Sequence, residues 1–297
     1  IGVAALYTQS FSNTGVAWNS ENIAIGYQAL YANQPTTTTD GYRNLAIGNY
    51  ALAENTTGNL NVALGYQSML VNVSGVNNTA VGYQTLAANN SGGYNTIIGS
   101  LAGKSTTSSY NTAVGYKALF ANTTGQNVAL GSNALVANTT GTGNLAFGMS
   151  ALFANISGNY NIAVGHNVLA TNTGASNTGI GYNALVANTT GAFNIGIGEN
   201  VGGTAATGTY NVLVGAQTAS GLTSGGKNTI LGSQIASGNV SNNIILGDGD
   251  GVVRLQFSST GVLSLTGPAV TASIATASTN KVAVTIGGVA YFMLLTT

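Results

Sequence analysis

The acidic residues Glu21, Asp40, Glu54, Glu199, Asp248 and Asp250 are the whole supply of carboxylates. General acid–base or glycosidic chemistry needs two of them converging on one substrate. Only Asp248 and Asp250 are close in sequence, in D-G-D-G, where a hard cation would find too few ligands and a solvated turn is the simpler reading. His166 is the single histidine, and cysteine is absent. Catalytic residues, metal ligands and cofactors are therefore expected to be none. What remains is aromatic. Tyr27, Tyr66, Tyr83, Tyr116 and Tyr182, with His166 in the same column, recur just after a glycine. Tyrosines on an uncharged polar face suit stacking on sugars or anchoring a protein, and equally suit packing on one another to stiffen a rod. A second row, Tyr94, Tyr110, Tyr160, Phe193 and Tyr210, has the same two readings.

These residues are positioned by a repeat. Aligned on N-x-A-x-G, the chain has fourteen starts: Asn22, Asn44, Asn61, Asn78, Asn95, Asn111, Asn127, Asn144, Asn161, Asn177, Asn194, Asn211, Asn228 and Asn243. Spacings are 16 or 17 except for a first gap of 22 and a last of 15. Such regularity marks a stacked, quasi-one-dimensional fold. Position five is always glycine: Gly26, Gly48, Gly65, Gly82, Gly99, Gly115, Gly131, Gly148, Gly165, Gly181, Gly198, Gly215, Gly232 and Gly247. Position four is bulky and apolar and position two is aliphatic or Thr, so alternation predicts a strand with that side buried. Position three, Ala or Gly in ten units, faces the other way, where something must approach closely.

Ala-Leu follows at positions eight and nine, as in Ala118-Leu119, and an Asn before T-T-G or S-G comes next. Six residues between turn signals are too few for a stable helix, so a second short strand is expected, with a tight bend at the glycine. The fold class is accordingly all-β: a parallel β-roll or β-solenoid of about 14 coils, each coil 16–17 residues. At roughly 4.8 Å per layer it would be about 65 Å long. Aligned Asn residues would bond layer to layer and satisfy the turns. The thin core and the second face of small residues suggest several chains side by side in cyclic symmetry.

Charged residues are 4% of the 297 and cancel in sign. Such a surface attracts neither nucleic acid nor an anionic membrane, and stacked identical side chains avoid repulsion. No run of about 18 apolar residues would span a membrane. Residues 281–295, KVAVTIGGVAYFMLL, are split by Gly287-Gly288 into two strands of a hairpin.

N-T-A-V-G at Asn78–Gly82 and Asn111–Gly115, with N-I-A-V-G at Asn161–Gly165, resembles the repeat of YadA-like trimeric adhesin heads, though the unit here is a few residues longer. The fuller GYKALFANTTG at Gly115–Gly125 resembles repeats of phage tail-fibre proteins. The resemblance covers about 22–247 and implies a left-handed roll and an intertwined homotrimer. It also implies other virion or fibre proteins as partners, and a virion or extracellular, cell-surface location. Residues 1–21 read as a degenerate entry coil with Trp18 over the first edge, 22–247 as the repeat roll, and 248–297 as a β cap ending in a hairpin. The cap resembles the ends of phage fibre proteins, which carry a self-cleaving chaperone further on. If Thr297 is the natural end, the roughly thirty residues after Pro268 do not supply the membrane barrel of a trimeric autotransporter.

The function expected is therefore structural and adhesive, not enzymatic: the trimeric shaft or tip of a phage tail fibre contacting a host surface glycan or protein. The alternative is a cellular surface adhesin or extracellular filament, and the third reading a polysaccharide-degrading spike. Binding candidates are the tyrosine row with His166 and the insertion Gln34–Asp40, including Pro35 and Asp40, since inserted loops on solenoids project outward. Asn55, Asn72, Asn122, Asn138, Asn155 and Asn188 begin glycosylation sequons but coincide with turns.

Overall fold

The computed structural model describes residues 1–7, 20–37, 39–235, 238–265, 280–286 and 289–295. Among them there are strands and turns and no helix. The chain divides into two units, Ile1–Ser176 and Asn177–Thr297.

The first unit stacks nine strands in chain order: β1 (Ile23–Ile25), β2 (Leu45–Ile47), β3 (Val62–Leu64), β4 (Thr79–Val81), β5 (Thr96–Ile98), β6 (Thr112–Val114), β7 (Val128–Leu130), β8 (Leu145–Phe147) and β9 (Ile162–Val164). Each pairs in parallel with the next, like on like, as Ala113 with Ala129 and Val114 with Leu130. Ahead of β1, the Ile1 N-terminus donates to Ala24 O at 2.6 Å and Gly2 has φ +133°, so residues 1–7 repeat half a coil. Trp18 lies outside the described residues.

The second unit continues the pattern within itself: β10 (Thr178–Ile180), β11 (Ile195–Ile197), β12 (Val212–Val214), β13 (Thr229–Leu231) and β14 (Ile244–Gly247), parallel throughout. Then β15 (Val253–Phe257) reverses onto β14, and β16 (Leu263–Leu265) reverses onto β15 through a turn at Ser258–Gly261. β17 (Asn280–Ile286) and β18 (Val289–Leu295) form an antiparallel hairpin, and Gly287-Gly288 lie outside the described residues. Eight parallel pairings in the first unit and four in the second make about twelve turns of parallel β-solenoid, against the fourteen starts counted in the sequence.

Two local expectations need correction. Each coil has one strand, not two. The Ala-Leu segment is a pair of tight turns in which positions seven and nine are left-handed, as at Lys117 (φ 54°) and Leu119 (φ 55°). Ala118 N donates back to Gly115 O and Asn122 N back to Leu119 O. The reason is width. Six extended residues would span about 20 Å, whereas the three-residue strand they cover spans about 10 Å. The left-handed leucine costs about 1 kcal/mol, and its full burial stabilises by about 2 kcal/mol.

The buried side is also reversed. Position three points inward: Ala46, Ala63, Ala80, Ala113, Ala129, Ala146 and Ala163 are all fully buried. Positions two and four point outward, with Ile47 38%, Ile98 39% and Phe147 55% exposed. Within so thin a coil, a leucine at position nine leaves room only for a methyl opposite. In the second unit a Cβ on Gly196 would fall 2.6 Å from Leu185 Cγ, and Gly202 sits between Leu185 and Leu213. Where position nine is Gly103, the fully buried Ile97 supplies the volume from the strand side. Leu119→Ala is thus expected to cost about 2–5 kcal/mol, read as a lower urea midpoint at unchanged slope.

Candidate functional site

Among the described residues no three of His, Cys, Asp or Glu come together as a metal site, and no helix is long and apolar enough to cross a membrane. Asp248 is committed to its own turn. Its carboxylate accepts from the N–H of Val252 (3.0 Å) and Asp250 (3.1 Å) and from Arg254 Nε (2.7 Å). These bonds, the Val252 N–H foremost, hold its pKa below the ordinary carboxylate value. The sign follows: the turn gains stability from Asp248 above its unfolded pKa and loses it as pH falls through the lowered folded value. A carboxyl NMR titration should place the Asp248 midpoint below 3.8, and Arg254→Ala should raise it only part of the way, because the backbone donors remain.

The insertion loop closes on itself. Asp40 accepts from Thr36 N–H (3.2 Å), Thr36 Oγ1 (2.8 Å) and Thr37 N–H (3.0 Å), while Pro35 is buried. Among the described residues of this loop Gln34, Thr36, Thr37 and Thr39 are exposed.

The sequons are interior. Asn55, Asn72, Asn138 and Asn155 are fully buried, and each donates its amide to the carbonyl three residues on, as Asn138 Nδ2 to Gly141 O at 2.9 Å. Each also bonds the equivalent Asn of the coil before, as Asn72 to Asn55 at 2.8 Å. The folded coil leaves no room for a glycan on these nitrogens. A parallel ladder runs through the repeat-start asparagines. Asn78 Oδ1 accepts from Asn95 N–H and Nδ2, both at 3.0 Å, while Asn78 Nδ2 donates to Gly92 O at 2.8 Å.

Three kinds of column are left on the surface of each coil. Positions two and four of the strands carry Ile, Val, Leu, Phe and Thr and no charge. After the glycine comes the expected tyrosine row. In the first unit Tyr27, Tyr66, Tyr83 and Tyr116 are 42–49% exposed and His166 is half-buried in the same column. Tyr66 and Tyr83 stack at 5.6 Å and 9°, and Tyr50, one position further on, packs edge-on between Tyr27 and Tyr66. Desolvation there, with its tyrosine neighbours, pushes the Tyr50 phenol up. Lys117 Nζ lies 5.2 Å over the Tyr116 ring. In the second unit Tyr182 is half exposed.

The residue before each repeat Asn forms the second row. Tyr94 and Tyr110 stack at 5.2 Å and 4° in the first unit, and Phe193 and Tyr210 at 4.9 Å and 3° in the second. These positions are left-handed too, at φ 56–62° for Tyr94, Tyr110, Tyr160, Phe193 and Tyr210. Beside Tyr110 the surface dips into a groove of about 260 Å³ lined by Ser109, Tyr110, Gly125, Gln126 and Thr142. Each row contains stacked ring pairs in adjacent layers, and the aromatic members of both rows stay substantially exposed. The outward aliphatic columns were missed by sequence reasoning, because period-two alternation shows that two faces differ and not which one is inside.

Comparison with protein-family models, with curated proteins and with solved structures finds no match to this chain.

Proposed function

We propose that this chain is a structural and adhesive subunit, three copies of which join along the strand faces into the shaft or tip of a fibre, such as a phage tail fibre, that contacts a host surface. One observation carries the reading: the uncharged columns at positions two and four, mostly Ile, Val, Leu and Thr, face outward in every strand of the solenoid and are half-buried or exposed in each. In the first unit they form a stripe nine layers tall, on the order of 400 Å² by strand spacing alone. That is the size of the largest apolar patch on an ordinary monomer, which is often functional. Identical copies present identical stripes, which favours closed cyclic assembly, and the short strand suits three faces meeting at an axis. The rows of half-exposed aromatics flanking the strand supply the adhesive contact.

The test is adsorption of the labelled full chain to a panel of intact bacterial cells. Saturable binding to at least one strain is expected, with affinity reduced about 100-fold when Ile98→Asp and Phe147→Asp break the assembly and with it avidity. Absence of adsorption to any envelope, or binding indifferent to the two charges, contradicts the reading.

A further inference from the structure

The aromatic row before the repeat asparagines has a vacancy in the first unit. Its successive members are Tyr94, Tyr110, Gln126, Gly143 and Tyr160. Tyr94 stacks beneath Tyr110, and the Tyr160 ring folds down over Gly143, where a Cβ would fall 2.7 Å from Tyr160 Cδ1. Aromatic rings thus occupy the levels on both sides of Gln126, about 10 Å apart by the layer spacing, and none occupies the level between. The groove lies there.

The same levels break the backbone ladder. Tyr94, Tyr110 and Tyr160 each donate their N–H to a carbonyl of the coil before, all at 3.0 Å. Among the described residues the N–H groups of Gln126 and Gly143 find no acceptor, and the exposed Gln126 amide makes no hydrogen bond. Thr142 Oγ1 donates to Gly125 O at 2.8 Å and keeps its lone pairs for an incoming donor. No Asp, Glu, Lys, Arg or His lines the groove.

We infer that the vacant level at Gln126 is a binding subsite for one ring of a neutral glycan, seated against the outer face of Tyr110. An apolar C–H face on the tyrosine, with hydroxyls toward Thr142, the Gln126 amide and the free N–H groups, satisfies every group named. A purely apolar ring would desolvate those polar groups without return. An acidic sugar or a phosphate would meet no cation. The volume is just below the range of about 300–1,000 Å³ that takes a drug-sized molecule, which fits a single pyranose ring. The inference deepens the adhesive reading and rests on it.

The experiment is saturation-transfer NMR on the full chain with methyl galactoside, methyl mannoside, methyl N-acetylglucosaminide and, as the acidic probe, methyl sialoside. At least one neutral glycoside should bind weakly and the sialoside should not. Tyr110→Ala should weaken binding about tenfold. Gln126→Tyr should abolish it by filling the vacant level, with the melting temperature held or raised, because tyrosine already occupies this left-handed position in neighbouring coils. No binding by any neutral glycoside, preference for the sialoside, or binding that survives Gln126→Tyr would overturn the subsite. Light scattering on the same samples separates the two ideas: an assembled protein blind to sugars sinks the subsite alone, and a single-chain protein that still binds sinks the fibre alone.

Discussion

Gly115→Ala is expected to destabilise the protein by at least about 4 kcal/mol and to leave little folded material at 37 °C. Two independent costs meet at this atom. Gly115 has φ +135°, a backbone conformation essentially confined to glycine, which costs a side chain about 1–3 kcal/mol. Its new Cβ would also lie 2.6 Å from Gly131 O and 2.7 Å from Gly131 C. Both atoms are backbone, held by the parallel register of β6 on β7, so neither is free to swing aside. The same substitution at Gly249, where nothing lies within 4 Å and φ is not positive, should change stability by less than about 0.5 kcal/mol. Paired denaturant melts of the two variants give the comparison. Similar midpoints would mean that the glycine column does not set the layer spacing.

Asn78→Leu should cost about 3 kcal/mol, although leucine is the more hydrophobic residue. Asn78 is fully buried and its Oδ1 is the acceptor for the Asn95 backbone N–H and side-chain amide. Leucine leaves that N–H without an acceptor inside the coil. Other groups fare better: Gly92 O still accepts from Asn89 Nδ2, and Asn95 Nδ2 still donates to Ser108 O. The loss is therefore local, and hydrogen exchange should show accelerated exchange first at Asn95 N–H. An unchanged Asn95 rate in a destabilised variant would mean that the cost arises from packing instead of the ladder.

The stacking direction, the layer register, the hydrogen-bonded asparagines and the turn at the glycine were legible in the sequence, because each repeats in a fixed column. Two features were not. The left-handed turn at Ala-Leu carries leucine where αL backbone is least expected, and only the burial of that leucine compensates. A faint signal exists: the neighbouring position seven is often Asn, as at Asn133, Asn167, Asn183 and Asn200, and position nine twice becomes glycine, at Gly103 and Gly202. Those residue types tolerate positive φ. The inward face was misassigned because bulk was equated with burial. In a coil this thin the leucine of the turn fills the interior, so the strand contributes its smallest residue inside and its largest outside.

That reversal moves the physical basis of the proposed association. The small residues belong to the chain's own core, and the aliphatic columns are what a second copy can cover. At the candidate site, the tyrosine rows were legible as columns, while the gap at Gln126 acquires meaning only when the ring of Tyr160 is seen to fold over Gly143.

The most direct measurement is the solution mass of the full chain by light scattering, with and without Ile98→Asp and Phe147→Asp. The account predicts about three times 29.5 kDa for the unaltered protein, surviving mild detergent, and a single-chain mass for the doubly charged variant. A single-chain mass for the unaltered protein at all concentrations, with the aliphatic columns left in water, would contradict it.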